Sequence, residues 1–117
     1  MKIKEGRFLM NKAVSLHILI SEENKEWVAH CLEFDIVATA KDITSVKKDI
    51  LDLIKAHIEY AIENNNTAYL FKPAPPEVWK EFWSKKTQVC DTTSYEAKSH
   101  KRNVDTPRFD IQELCHA

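Results

Sequence analysis

Residues Trp27 to Asp42, WVAHCLEFDIVATAKD, run straight into a segment of helical period from Ile43 to Glu63. Two short extended segments feeding one long amphipathic helix leave few architectures open. The strands need a shared sheet, and the helix needs a sheet face to seal. Upstream, Val14 to Ser21 alternates, with Val14, Leu16, Ile18 and Ile20 on one side and Ser15, His17, Leu19 and Ser21 on the other. Period two of this kind marks a strand with one buried face. Glu22 to Glu26 is polar, contains Asn24 and reads as a hairpin turn, although it lacks Asn-Gly. Trp27 to Leu32 is the second strand. After a tight connection at Glu33 to Asp35, Phe34 to Ala40 supplies the third, with Ile36, Ala38 and Ala40 alternating against Val37 and Thr39. The spacing predicts a meander of three antiparallel strands.

Asp42 suits the helix N-cap, because its carboxylate can accept from the free N–H groups of the first turn. Val46, Ile50, Leu53, Ile54, His57, Ile58 and Ala61 then recur at spacings of three and four, and Leu51 and Ile62 widen the stripe. Lys47, Lys48, Asp52, Lys55, Glu59 and Glu63 fall on the other side, and Asn64, Asn65 and Asn66 end the helix. Ala68 to Phe71 is apolar and predicts a fourth, edge strand, stopped by Pro73, Pro75 and Pro76. Glu77 to Ser84 predicts a short helix with a proline at its start. Residues 86–106 have few large apolar side chains and predict a flexible polar tail; RFDIQELCHA after it could hold a last strand or helical turn. The expected organisation is therefore an N-terminal extension over 1–13, an α+β domain over 14–84 and a polar tail over 85–117. The fold class is α+β, of order β-β-β-α-β. A three- to four-stranded antiparallel sheet is packed by one long helix, and a short helix follows. A chain cut after Ser84 is expected to keep this fold.

Composition narrows the function classes. A chain of 117 residues suits one domain. Its single glycine, Gly6, excludes a glycine-rich phosphate loop. Net charge is −1, yet residues 14–83 hold twelve acids against seven bases. An acidic domain is a poor nucleic-acid binder, since phosphate contacts need clustered Lys and Arg. It is a suitable partner for a basic protein. Cys31, Cys90 and Cys115 are odd in number and widely spaced. That argues against a disulfide framework and lacks zinc-site spacing. They are expected to be reduced thiols in a cytoplasmic protein. Residues 1–13 contain no apolar core of signal-peptide length, Met10 could serve as a start, and no segment has the length of a membrane span.

No group of residues carries a reaction. Glu33, Asp35 and Asp42 near strand ends invite comparison with nucleases that gather carboxylates on divalent metals. The first strand, however, offers Ser15, His17, Leu19 and Ser21 where such carboxylates would project. A turn role for Asp35 and a cap role for Asp42 account for both. His17 and His30 lie on adjacent strands and His57 lies on the helix stripe, so a cluster near Cys31 is conceivable. But His30 and Cys31 point to opposite faces of one strand, and His17 points away from Leu16 and Ile18. His30 and Cys31, as strand neighbours, cannot act as a base and nucleophile pair. The expectation is no catalytic residue, no metal and no cofactor. Trp79 and Trp83, four apart on one helix face, are core or contact residues, or a protein-binding patch if exposed.

Over roughly residues 14–72 this layout resembles the compact domain of the HicB antitoxin family, a β-β-β-α-β unit often described as a partial ribonuclease-H fold. Trp27-Val28-Ala29 stands at the family's second strand. Cys31-Leu32-Glu33-Phe34-Asp35-Ile36 stands at its acidic-Leu-Pro-Gly turn, with Phe34-Asp35 in place of Pro-Gly. Asp42-Ile43-Thr44-Ser45-Val46 stands at its capped helix start. The resemblance implies a non-catalytic protein that binds and occludes a small, basic, RNA-cleaving toxin. Many family members add a helix-turn-helix or ribbon-helix-helix module that binds operator DNA. Residues 84–117 show neither pattern, so nucleic-acid binding by this chain alone is not expected. The acids placed to meet a basic partner are Glu22, Glu23 and Glu26 in one turn and Glu33 and Asp35 in the next. The alternative expectation is a solitary module of this fold that homo-oligomerises. One helix cannot cover both faces of a sheet, and Leu19, Val37 and Thr39 leave apolar character on the second.

Overall fold

The computed structural model describes residues 13–64, 66, 70–84, 87–96 and 108–116. Strand β1 (Val14–Glu23), β2 (Glu26–Cys31) and β3 (Ile36–Ala40) lead into helix α1 (Ile43–Glu63). Helix α2 (Pro76–Ser84), β4 (Thr87–Glu96) and β5 (Arg108–His116) follow. The strands form one sheet in the order β3-β2-β1-β5-β4. The first three make the expected antiparallel meander, with Ile20 opposite Ala29 and Ala29 opposite Ala38. β5 then lies parallel to β1, with Leu16 beside Ile111, and β4 pairs antiparallel with β5 at the far edge.

The sheet is thus mixed and five-stranded, not an antiparallel sheet of three or four. The polar tail expected over 85–117 contains two strands, one of them interior to the sheet. The fourth strand expected at Ala68 to Phe71 does not form at its described residues. Leu70 is a buried turn residue and Phe71 is exposed, both outside any strand, while Ala68 and Tyr69 fall outside the described residues. The proline-rich stretch after Phe71 instead runs irregularly into α2.

α1 packs on one face. Asp42 caps it, its carboxylate accepting from Ser45 N at 2.8 Å and from Ser45 Oγ at 3.0 Å. Val46, Ile50, Ile54, Ile58, Ala61 and Ile62 press onto Leu16, Ile18, Ala29, Cys31, Phe109 and Ile111. Leu53, expected in this stripe, points outward and is 45% exposed. Lys47, expected outside, is half-buried against β5. The second face has a smaller core of its own, in which Phe82 of α2 and Ala74 cover Leu19, Leu32 and Leu114. The second face, expected to be bare and to drive self-association, is thus covered in part by α2.

Candidate functional site

The β1–β2 hairpin is longer than its neighbours. The last residue of β1 paired to β5 is Ile20, and the last residue of β2 paired to β3 is Trp27. Beyond them Ser21 to Glu26 continue as a two-stranded finger, with Glu22 opposite Trp27 and Glu23 opposite Glu26. Asn24 and Lys25 turn it with φ of 53° and 67°. Positive φ at both central residues is the geometry whose twist matches a two-residue hairpin. Glu22, Glu23 and Glu26 are all exposed on the finger. Trp27, half-buried against the main core, anchors its base.

Glu33 and Asp35 are placed differently. They sit beyond the other end of β2, roughly 20 Å from the finger by strand rise. Each is engaged by a histidine. Glu33 Oε1 accepts from the His17 backbone N at 2.8 Å, and its Oε2 lies 2.6 Å from His17 Nδ1. Asp35 Oδ1 lies 2.8 Å from His30 Nε2, and Asp35 itself turns the chain with φ of 54°. The hydrogen bond to Glu33 raises the His17 pKa above its ordinary value, against an opposing effect of burial. The five acids therefore do not share one surface. Three are exposed on the finger, Glu23 accepting from Ser21 Oγ at 3.4 Å, and two fasten the β2–β3 turn to the sheet.

That turn also holds the start of the second-face layer. Leu32 N donates to His17 O, and Lys72 N and Ala74 N donate to Glu33 O and Leu32 O. His57 is on the opposite face, where Nε2 lies 2.9 Å from Leu70 O and its ring packs on Phe34. His17, His30 and His57 thus make no common site. Among the described residues no group of three or more His, Cys, Asp or Glu is arranged to hold a metal ion. Cys31 is fully buried, and burial pushes its thiol up to about 12. Trp83 is exposed beside buried Phe82, while Trp79 packs partly on the second core.

Two features depart from what the sequence leads one to expect. Cys90 and Cys115, expected as separate thiols, are joined by a disulfide across β4 and β5. Glu113 of β5 is buried on the helix-facing side, with Oε1 lacking a hydrogen-bond partner and Lys47 Nζ 3.9 Å away. Burial pushes its carboxyl above the ordinary range, Lys47 opposing and Asp91 adding to the shift. Their clue was alternation in FDIQELC, which places residues 109, 111, 113 and 115 on one face.

No protein-family model, curated protein or solved structure matches this chain. Among the described residues no helix is long and apolar enough to cross a membrane.

Proposed function

We propose that this chain is a non-catalytic protein-binding module of antitoxin type, one that holds a small basic protein through the finger of β1 and β2. The observation that carries this reading is the finger itself. It projects past both flanking strands with Glu22, Glu23 and Glu26 exposed, on a segment whose acids outnumber its bases. A negative projection of this kind steers a cationic partner and disfavours anionic ones. The element order β-β-β-α of residues 14–63 supports the likeness to HicB domains, and so does the Asp42 cap at the helix start. The partner is then an RNA-cleaving basic protein encoded beside this one in a cytoplasm.

The test is co-expression with the neighbouring basic protein, followed by measurement of its RNA cleavage with and without this chain. The expected result is a stable complex and inhibited cleavage. Glu22→Lys combined with Glu23→Lys and Glu26→Lys should slow association, most clearly at low salt. Recovery of this protein alone, or unchanged association by the triple variant, overturns the reading.

A second reading, homo-oligomerisation, is favoured by the sheet's two outer strands. Among the described residues β3 and β4 each have one neighbour, and Val37 on β3 is 50% exposed. Unprotected edges pair with one another. Light scattering of the purified chain separates the two: a monomer at micromolar concentration excludes this second reading.

A further inference from the structure

Strand β4 is attached to the molecule unlike any other strand. None of its ten residues is buried, and Val89 is half exposed. Beyond its ladder to β5 it is tacked down near each end. Toward one end the Tyr95 hydroxyl donates to Glu59 of α1, and Lys55 Nζ sits 5.4 Å from the centre of its ring. Toward the other, the register shifts between Val89 and Asp91, which lifts Cys90 out of the ladder. Cys90 is exposed there and bonded to half-buried Cys115, the two Cα atoms 5.9 Å apart.

The ladder beneath this second tack encloses a poorly compensated charge. Asp91 pairs directly with Glu113, whose carboxylate is buried with one oxygen unpartnered. Lys47 of α1 is the cation facing it, at 3.9 Å, and Asp91 of β4 is the second anion. Opening β4 hydrates Glu113, so this end of the strand gains little from staying closed once the covalent link is gone. Cys31 is the remaining cysteine and lies sealed in the main core, out of reach for exchange.

We propose that Cys90 and Cys115 form a reversible redox site, opened by small thiols of the glutathione class, whose reduction releases β4 from β5. A thiolate attacks the exposed Cys90 Sγ. A sulfur–sulfur bond forms to the small thiol as the Cys90–Cys115 bond breaks, and the electron pair leaves on Cys115 Sγ, which takes a proton from water. A second thiolate attacks the small thiol's sulfur in the mixed disulfide. It departs as the small-molecule disulfide and leaves Cys90 as a thiol after protonation. Two small thiols are oxidised for one protein disulfide reduced, and an oxidised pool drives the reverse. Disulfides that persist in a reducing compartment are typically of this exchanging kind. The released state turns β5 from an interior strand into an edge, open to pairing with another chain.

The experiment equilibrates the purified full chain in buffers spanning a wide range of reduced-to-oxidised glutathione ratios. Thiols are trapped by alkylation and assigned by mass, and amide hydrogen exchange is followed in parallel. Cys90 and Cys115 are expected to become alkylatable together over one transition, while Cys31 stays protected. Amides of 88–96 should then exchange about thirtyfold faster, the lower end of what loss of a disulfide typically implies. Those of β1 and β2 should hold. A Cys90→Ser, Cys115→Ser variant should show the fast β4 exchange at every ratio, and Cys31→Ser should respond as the wild type does. A pair that stays bonded or stays free at all ratios overturns the proposal, as does reduction without faster exchange in β4. Neither the trapping of Cys90 and Cys115 nor the exchange of β4 depends on a partner at the β1–β2 finger, so the two readings fail independently.

Discussion

Lys25 occupies a backbone conformation that suits glycine. Its φ of 67° in the hairpin turn places a side chain where a Cβ crowds the following carbonyl, at a cost of about 1 kcal/mol. Lys25→Gly is expected to raise the melting temperature by a few degrees, on the order of 4–8 °C per kcal/mol for a chain of this size. Thermal unfolding checks it, and a lowered melting temperature would show that the turn is of another type. His17 makes a different kind of claim. Its pKa is raised in the folded state by the hydrogen bond to Glu33. A raised value means the folded state holds its proton more tightly than the unfolded state. The resulting stabilisation is complete below the unfolded pKa, near 6.5, and is lost as pH rises through the folded one. Urea midpoints should therefore fall as the pH rises from about 6 to about 8. In Glu33→Gln, which keeps an oxygen to accept from His17 N, that slope should flatten. A slope equal to the wild type's would assign the pH dependence to another group.

At the scale of elements, α1 and β5 are the pieces on which the fold rests. Ile50 and Ile54 are fully buried on α1, whereas Lys48 is exposed and pairs with Asp52 at 2.8 Å. Ile50→Asp is expected to destabilise by about 3 kcal/mol or more, the usual cost of an unpaired buried charge, whereas Lys48→Asp should leave stability nearly unchanged, as exposed ion pairs contribute little. Chemical denaturation compares the two, and similar losses would mean that the helix faces are misplaced. β5 brings Phe109, Ile111 and Leu114, the first two to the main core and the third to the second. A chain ending at Ser84 is thus expected to lose cooperative unfolding altogether, the reverse of what a polar tail implies. Retained near-UV circular dichroism in that truncation would count against the placement of β5. The contrast also explains which elements could be read beforehand. β1, β2, β3 and α1 each bury one face against the main core, so burial prints a period of two or of 3.6 onto them. β4 buries neither face, so TQVCDTTSYE carries no period to detect. In β5 the period exists but is interrupted, because Glu113 occupies a core-facing position between Ile111 and Cys115. Of the candidate site, the acidic finger could be read from its turn composition. The pairing of His17 with Glu33 could not, since it depends on which residue of the β2–β3 turn folds back over β1.

Across the whole molecule, strand order and chain order disagree at one place. The strand that flanks β1 on its open side is the last in the described chain, and the two partners are separated by more than ninety positions, with Val14 beside Phe109. On a ribosome, β1, β2, β3 and α1 all emerge while β1 still lacks that neighbour, and the main core still lacks Phe109 and Ile111. Emergence of this chain is a long wait for a late component. At about 5–20 residues per second, several seconds pass between the appearance of β1 and that of β5. During that interval the apolar side of the meander is a natural substrate for a chaperone. Nascent chains arrested at increasing length should stay sensitive to protease until residue 116 has cleared the exit tunnel, then become resistant in a single step. Resistance acquired as soon as α1 emerges would show that the meander and its helix are a self-sufficient folding unit. With the single late step, synthesis rate past α1, set by codon choice in a stretch that contributes nothing to the acidic finger, governs how much folded protein a cell obtains.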